Sequence, residues 1–218
     1  MKKSRQIFPK WANHVPMIVG LSLFSLLSFV VFVFWYWFSP KHLNVGYQPE
    51  QPIPFSHRLH AGELGLDCRY CHTQVQKAGH SNIPATETCM NCHSVIKTDS
   101  PHIKKLHESY ANDEPIPWVR IHSLPDYTYF NHSRHVNSGI SCVSCHGRVD
   151  QMEVVRQVEP LSMGWCLDCH RKPEKHLRPV EFVTKLDWHP KEDQLTLGKR
   201  LKKKYDIQPK EYCSTCHR

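Results

Sequence analysis

Residues 55–72 read FSHRLHAGELGLDCRYCH, and the last five letters are the first of five copies of one motif. Each copy is a pair of cysteines separated by two residues, with a histidine directly after the second cysteine. All 10 cysteines of the 218-residue chain lie in such pairs. A disulfide framework would give the five histidines no role. The copies are Cys68-Arg69-Tyr70-Cys71-His72, Cys89-Met90-Asn91-Cys92-His93, Cys142-Val143-Ser144-Cys145-His146, Cys166-Leu167-Asp168-Cys169-His170 and Cys213-Ser214-Thr215-Cys216-His217.

Cys-x-x-Cys-His is the attachment motif of c-type haem. Positions i and i+3 of a helical turn share one face, so both thiols can reach the two vinyl groups of one porphyrin. The following histidine then projects beneath the ring and can bind the iron. Zinc sites commonly use two Cys-x-x-Cys pairs per metal, and five pairs cannot be matched two by two. We therefore expect five covalently bound haem c groups, with iron ligands His72, His93, His146, His170 and His217.

Residues 17–38 contain no charged side chain, and as a helix they would be about 33 Å long, enough to cross a bilayer. Trp35, Tyr36 and Trp37 stand at the far end, where aromatic rings favour the headgroup level. A cleavable signal peptide is the alternative, but its apolar region would be shorter and a small-x-small site should follow. We expect an uncleaved signal anchor.

Basic residues concentrate at the two ends of the chain, whose formal net charge is +8. The first group should keep residues 1–16 in the cytoplasm by the positive-inside rule and place residue 39 onward outside. This group consists of Lys2, Lys3, Arg5 and Lys10. No central basic stripe with interleaved aromatic residues occurs, which argues against a nucleic-acid binder. The second group includes residues 199–204 (KRLKKK), which either contact an acidic surface or form a solvated helix face.

The rest of the chain contains few apolar runs and no alternating βαβ pattern, which argues against a doubly wound sheet, a barrel or a sandwich. After the anchor, about 36 residues are available for each haem, too few for a separate core around every ring. The expected fold is mostly coil with short α-helices around five packed c-type haems, plus one N-terminal transmembrane helix and little or no β-sheet.

The gaps between the motifs are 16, 48, 19 and 42 residues, and this alternation predicts two di-haem units and a fifth haem on a tail. The units span about residues 55–93 and 130–170, and the tail spans 171–218. We therefore expect a cytoplasmic tail at 1–16, the anchor at 17–38 and a periplasmic pentahaem domain at 39–218.

The pattern FxHxxH precedes each di-haem unit, at residues 55–60 and 130–135. Two histidines three apart on one helical turn can serve two different irons. The candidate second ligands are His57, His60, His132 and His135, followed by His80 and His176, with His122 and His189 weaker. We expect His102 and His107 to be solvated loop residues, and His14 and His42 to flank the membrane. Methionine is the alternative ligand, but we expect Met152 and Met163 to have packing roles.

Mostly bis-histidine iron is therefore expected, with both axial positions filled. Such iron passes electrons and binds no substrate, so the chain should perform no bond chemistry of its own.

FxHxxH followed by CxxCH resembles the class III multihaem cytochromes c. The resemblance implies that His57 serves the haem at His72 and that His132 serves the haem at His146. It also implies that His60 and His135 cross to other haems.

A basic tail, one spanning helix and five motifs resemble the pentahaem subunit of alternative complex III, a bacterial quinol-oxidising respiratory complex. The likeness covers about residues 1–180 and rests on FSHRLHAGELGLDCRYCH (55–72), IPATETCMNCH (83–93), PIPWVRIHSLPDYTYFNHSRH (115–135) and PLSMGWCLDCHRKPEKHLRP (160–179). It implies a place in the bacterial inner membrane, with electrons arriving from quinol through an iron–sulfur subunit. They would leave towards a monohaem cytochrome c or a terminal oxidase. The implied partners are these proteins, polytopic quinol-binding subunits and membrane lipid.

A NapC-like quinol dehydrogenase is the alternative, since it also has one anchor and a multihaem domain. It would oxidise quinol itself and feed a periplasmic reductase. A haem with an open or weak axial position near the membrane would distinguish it.

Overall fold

The computed structural model describes residues 8–38 and 44–217. They belong to two compact units, one within Met1–Leu43 and the other within Asn44–Arg218. Lys2, Lys3 and Arg5 of the basic tail, and His42, lie outside the described residues.

The first unit is one long apolar helix. A 3₁₀ turn at Lys10–His14 leads into α1, Val15–Trp37. Pro16 lies in the first turn, where its missing N–H costs no hydrogen bond. Lys10–Trp37 is long and apolar enough to cross a membrane by length and composition, a test that a signal sequence also passes.

The second unit consists of short helices joined by coil. Its α-helices are α2 Cys68–Cys71, α3 Thr86–His93, α4 Pro101–Ala111, α5 His132–Asn137, α6 Val143–His146, α7 Met163–Arg171, α8 Gln194–Lys204 and α9 Cys213–Cys216. Shorter 3₁₀ turns lie at Val149–Gln151, Pro173–Lys175 and Val180–Phe182, and a π-helical turn lies at Arg58–Glu63. Within residues 44–217 the β-structure amounts to the isolated bridges Thr128–His217 and Ile140–Leu177. The predicted fold class, short helices and coil without a sheet, is confirmed.

Polar caps fix where the functional helices begin. The side chain of Asp67 accepts a hydrogen bond from the backbone N–H of Arg69 at the start of α2. Asn131, Ser162 and Asp193 cap α5, α7 and α8 in the same way. Such caps satisfy N–H groups that have no partner within the helix. Asp67 and Asn131 directly precede a cysteine motif and a candidate histidine pair, and Ser162 lies four residues before Cys166, so local sequence sets the start of each of these turns.

The apolar core is divided into small clusters. One contains Val75, Val136 and Val183. The other contains Leu177 with Leu197 and Leu201 of α8. In α8 these leucines are buried while Lys199 and Lys203 are exposed, so the helix is amphipathic. The clusters place α8 against the segment that follows the fourth motif.

Candidate haem sites

Each cysteine pair lies on a helical turn. Four pairs lie entirely within a helix, namely α2, α3, α7 and α9. In the third pair, Cys142 is the N-cap of α6 and Cys145 lies within that helix. The histidine stands at or just beyond the end of its turn. None of the ten cysteines forms a disulfide. The spacing therefore directs both thiols of each pair to one side, as covalent porphyrin attachment requires.

Backbone carbonyls orient three of the attachment histidines. Nδ1 of His72 lies 2.7 Å from the carbonyl oxygen of Asn82, and Nδ1 of His93 lies 3.1 Å from that of Ile96. Nδ1 of His170 lies 2.8 Å from the carbonyl oxygen of Lys210. A carbonyl only accepts, so each Nδ1 donates its proton. Nε2 keeps its lone pair and can bind a metal.

Three attachment histidines face a second histidine ring. The ring centroids are 6.1 Å apart for His60 and His93, and 6.1 Å apart for His135 and His170. The rings of His132 and His146 are 6.5 Å apart and nearly parallel, at 8°. Nδ1 of the facing ring again lies near a carbonyl oxygen. The distances are 2.8 Å from His60 to Ser56, 2.8 Å from His135 to Asn131 and 3.1 Å from His132 to Gly79.

These separations fit one metal ion between two imidazoles. An imidazole nitrogen binds a transition metal at about 2.0–2.1 Å, and the ring centroid lies about 1 Å behind it, so two opposed ligands hold their centroids about 6 Å apart. The residues therefore fit haem iron with one histidine on each side. His60 faces His93 of the second motif, and His135 faces His170 of the fourth motif. His132 faces His146 of the third motif.

His57 occupies, in the first FxHxxH copy, the position that His132 occupies in the second. Its Nδ1 is buried and has no hydrogen-bond partner within the described chain. Burial lowers the pKa of His57 to about 4, with a further contribution from the positive charges of His72 and His60. His57 therefore lies near His72 as a neutral imidazole.

The phenylalanine of FxHxxH packs on both histidines in each copy. Phe55 stacks on His60 at 4.4 Å and meets His57 edge-on at 4.8 Å. Phe130 stacks on His135 at 4.4 Å and meets His132 edge-on at 4.8 Å. The sequence interpretation assigned this residue no role, although its repetition at the same position in both copies was a usable signal. It holds the two imidazoles of one turn at a fixed angle.

His122 contacts the third attachment histidine. Its Nε2 lies 3.3 Å from Nδ1 of His146, and the two rings are 4.4 Å apart at 84°. Burial lowers the pKa of His122, and burial followed by the charge of His122 lowers the pKa of His146 to about 3. The sequence interpretation treated His122 as a weak candidate for an iron ligand. The structure places it on the Nδ1 side of His146, whereas His132 faces that ring in parallel.

The remaining candidates have exposed side chains, although His80 directly follows Gly79, whose carbonyl contacts His132. His80, His176 and His189 are exposed, and no histidine ring within residues 8–38 and 44–217 faces His217 as His60 faces His93. The ring of His217 lies 5.8 Å from that of Tyr127, and the backbone of Tyr129 donates to the carbonyl of Cys216 at 2.7 Å. The fifth motif is therefore fixed to residues 127–129, just before the second FxHxxH.

One expectation about other side chains was wrong: His102 and His107 lie in helix α4, not in a loop. His102 is exposed as expected, whereas Nε2 of His107 lies 2.8 Å from the carbonyl oxygen of His93. Met152 is buried as expected, and Met163 is 65% exposed.

Comparison with known proteins agrees with this chemistry. Residues 128–218 match the family model for cytochrome c7 and related cytochrome c. The chain is also similar to the multihaem cytochrome c subunit of menaquinone reductase from Nitratidesulfovibrio vulgaris, with 32% identity over 132 residues. That alignment covers 60% of this chain and 58% of the relative, so the chain spans little more than half of the relative's length. Both likenesses are to c-type cytochromes, and each covers only part of this chain.

Proposed function

We propose that this chain is the electron-transfer subunit of a quinone-linked membrane respiratory complex and that five c-type haems carry its electrons. The observation that carries the proposal is the facing of His60 and His93 at 6.1 Å, repeated by His135 and His170 at 6.1 Å. When bound, haem c supplies an iron that takes up and releases one electron. At these two sites, protein histidines on both sides would leave no axial position for a substrate, which suits an electron carrier.

The proposed organisation follows the sequence. Residues 17–38 act as a signal anchor in the bacterial inner membrane, and residues 39–218 form the periplasmic haem domain. The uncharged composition of α1 and the basic residues before it support this orientation. Alkaline phosphatase fused after the last residue should be active in intact cells. If that fusion is inactive, and alkaline phosphatase fused to the segment before residue 17 is active instead, the proposed orientation is wrong.

The proposed partners are an iron–sulfur subunit, polytopic quinol-binding subunits, and a monohaem cytochrome c or terminal oxidase. The likeness to a subunit of menaquinone reductase supports a quinone-linked assembly. We propose quinol oxidation as the direction of electron flow. The name of that relative describes the opposite direction, so the direction needs its own test.

Purification in mild detergent tests the assembly and the direction together. We expect the chain to co-purify with an iron–sulfur subunit and polytopic membrane proteins. Menaquinol should then reduce the haems of the complex, followed over time by the α-band absorbance. A chain that purifies alone would contradict the proposed assembly. Haems that menaquinone oxidises but menaquinol does not reduce would contradict the proposed direction of electron flow.

A NapC-like quinol dehydrogenase is the second candidate, and an open axial position at the fifth motif, where no histidine ring among residues 8–38 and 44–217 faces His217, would support it. An axial position without a protein ligand binds carbon monoxide when the iron is reduced. The dehydrogenase reading predicts a carbon monoxide complex and direct reduction of the isolated chain by quinol. The subunit reading predicts that the isolated chain is not reduced by quinol.

A further inference from the structure

His146 differs from three of the other attachment histidines in the partner of its Nδ1. Nδ1 of His72, His93 and His170 donates to a backbone carbonyl, whereas Nδ1 of His146 lies 3.3 Å from Nε2 of His122. His122 lies 24 residues before His146 in the sequence, on the segment between α4 and α5.

That segment is held in place by side-chain hydrogen bonds. The amide of Gln51 makes two bonds of 2.9 Å with the backbone of Val119, one to its N–H and one to its carbonyl. Nε of Arg120 donates to the carbonyl of His122 at 3.1 Å. Gln51 thus anchors the segment at Val119, and the bond from Arg120 closes a local turn at His122, which presents its imidazole to His146.

We propose that His122 is a positioning residue for the third motif, with its Nε2 accepting the Nδ1 proton of His146. This rests on the proposed haem at that motif. A partner on the outer nitrogen orients a ligating imidazole and raises its basicity. His132 lies opposite, with its ring nearly parallel to that of His146, so the contact leaves His132 as the facing ligand.

Substitution of His122 in the full-length protein tests this role. In His122→Leu we expect all haems to remain attached and low-spin, while one midpoint potential rises by about 59 mV, the one-electron equivalent of a tenfold change in the reduction equilibrium. His122→Gln should show little of this rise in potential, because the amide oxygen of glutamine can still accept the Nδ1 proton of His146. His102→Leu, an exposed histidine of α4, is the matched control and should shift no potential.

Two results would overturn the role. An unchanged set of potentials in His122→Leu would show that the contact does not tune the ligand. A high-spin signal in that variant would make His122 an iron ligand itself. Both readouts are spectroscopic, so they do not depend on whether the chain works in a quinone-linked complex.

A second inference comes from independent contacts, which join the motifs in pairs. The first and second meet where Nδ2 of Asn91 donates to the hydroxyl of Tyr70 at 3.0 Å. The third and fourth meet at α5, where His132 faces His146 and His135 faces His170.

One segment joins the first motif to the third. Thr184 donates to the carboxylate of Asp67, directly before Cys68, at 2.8 Å. The neighbouring carbonyl of Val183 accepts from the hydroxyl of Ser141 at 2.7 Å and from the N–H of Cys142 at 3.3 Å. The starts of α2 and α6 are therefore held side by side.

The fourth motif contacts the fifth. His170 donates to the carbonyl of Lys210 at 2.8 Å, and Arg171 pairs with Glu211 at 3.1 Å, just before Cys213. Of the ten motif cysteines, Cys92 and Cys213 are exposed and the other eight are half-buried. The exposed cysteines belong to the second and fifth motifs.

We infer that the haem sites follow the spatial order second, first, third, fourth, fifth, with the second and fifth at the two ends. This deepens the proposed function, because electrons would enter and leave the domain at these two motifs. The spatial order differs from the chain order at the first two motifs, because the second motif lies at the end of the line and the first motif lies between it and the third.

Haem–haem contacts measured by NMR in the intact oxidised protein test the order. We expect nuclear Overhauser contacts between four pairs of haems that form an open line. Replacing Cys213 and Cys216 by serine should remove one contact pair, whereas replacing Cys142 and Cys145 should remove two. A closed ring, a branch, or two lost contacts in the Cys213→Ser, Cys216→Ser variant would overturn the order, whatever the quinol assay gives. If the cysteine variants do not accumulate, the contact pattern of the unaltered protein still decides.

Discussion

At the scale of single residues, the nitrogen used in a hydrogen bond separates three candidate ligand histidines from His107. His60, His132 and His135 use Nδ1 on a backbone carbonyl, which leaves Nε2 for a metal. His107 instead uses Nε2 on the carbonyl of His93. The candidate ligands are therefore distinguished by hydrogen-bond partner as well as by position in a motif.

Replacing His132 by alanine should remove the ring that faces His146. We expect one haem to become high-spin while the number of attached haems stays the same, because the cysteines that hold it are unchanged. Electron paramagnetic resonance and visible absorption measure the spin state. His102→Ala, in an exposed position, is the control and should remain fully low-spin, and a wholly low-spin His132→Ala protein would refute this assignment.

The repeated FxHxxH pointed to His60, His132 and His135 from sequence alone, because the two histidines of each copy lie on one local turn. The partners that orient them could not be found in this way. Gly79 is 53 residues from His132, and His122 is 24 residues from His146. Such contacts depend on how distant segments pack, and no local pattern records them.

At the scale of elements, α4 and α8 are the two longest helices of the second unit. In α4, Pro101 in the first turn and the buried Leu106 favour a helix, which is why the expectation of a loop at His102 and His107 was wrong. In α8, the backbone at Gly198 lies directly against the carbonyl of Glu174, where a Cβ atom would collide. The glycine thus permits the close contact of α8 with Pro173–Lys175.

Gly198→Ala should destabilise the haem domain by about 1–3 kcal/mol, because the added methyl group forces α8 away from Glu174. Chemical denaturation followed by haem absorbance measures the loss. Gly164→Ala is the control, since nothing lies within 4 Å of its Cβ position, and it should leave stability unchanged or slightly raised. Equal stability of the two variants would contradict the close packing of α8.

The basic face of α8 is partly paired within the domain. Arg200 pairs with Glu192, and Nζ of Lys202 lies 3.6 Å from the carboxylate of Glu174. Lys199 and Lys203 are exposed, so they are the residues through which α8 would contact an acidic surface.

Reversing Lys199 and Lys203 to glutamate should weaken association with the partner subunits, and the loss should shrink as salt is added, because salt screens exposed charges. Recovery of the complex on an affinity column at low and high salt measures this. Reversal of Lys104 and Lys105, exposed in α4, introduces the same charge change elsewhere and should have a smaller effect. If the two reversals have equal effects, the basic residues of α8 form a solvated helix face and do not contact a partner specifically.

At the scale of the whole molecule, small apolar clusters and many short turns replace a single core. Composition and motif count predicted this, because so few residues are available for each expected haem. The contact between the first and third motifs could not be predicted, since it is made by Val183 and Thr184, far from both in sequence. Motif spacing sets the local sites, and long-range hydrogen bonds set their arrangement.

The intact mass of the purified protein, together with a pyridine haemochrome assay, tests the central claim most directly. The account predicts the mass of the polypeptide plus five haem groups, bound through thioethers that survive denaturation, and five haems per chain in the assay. A mass equal to that of the bare polypeptide, or a haemochrome value of zero, would contradict it.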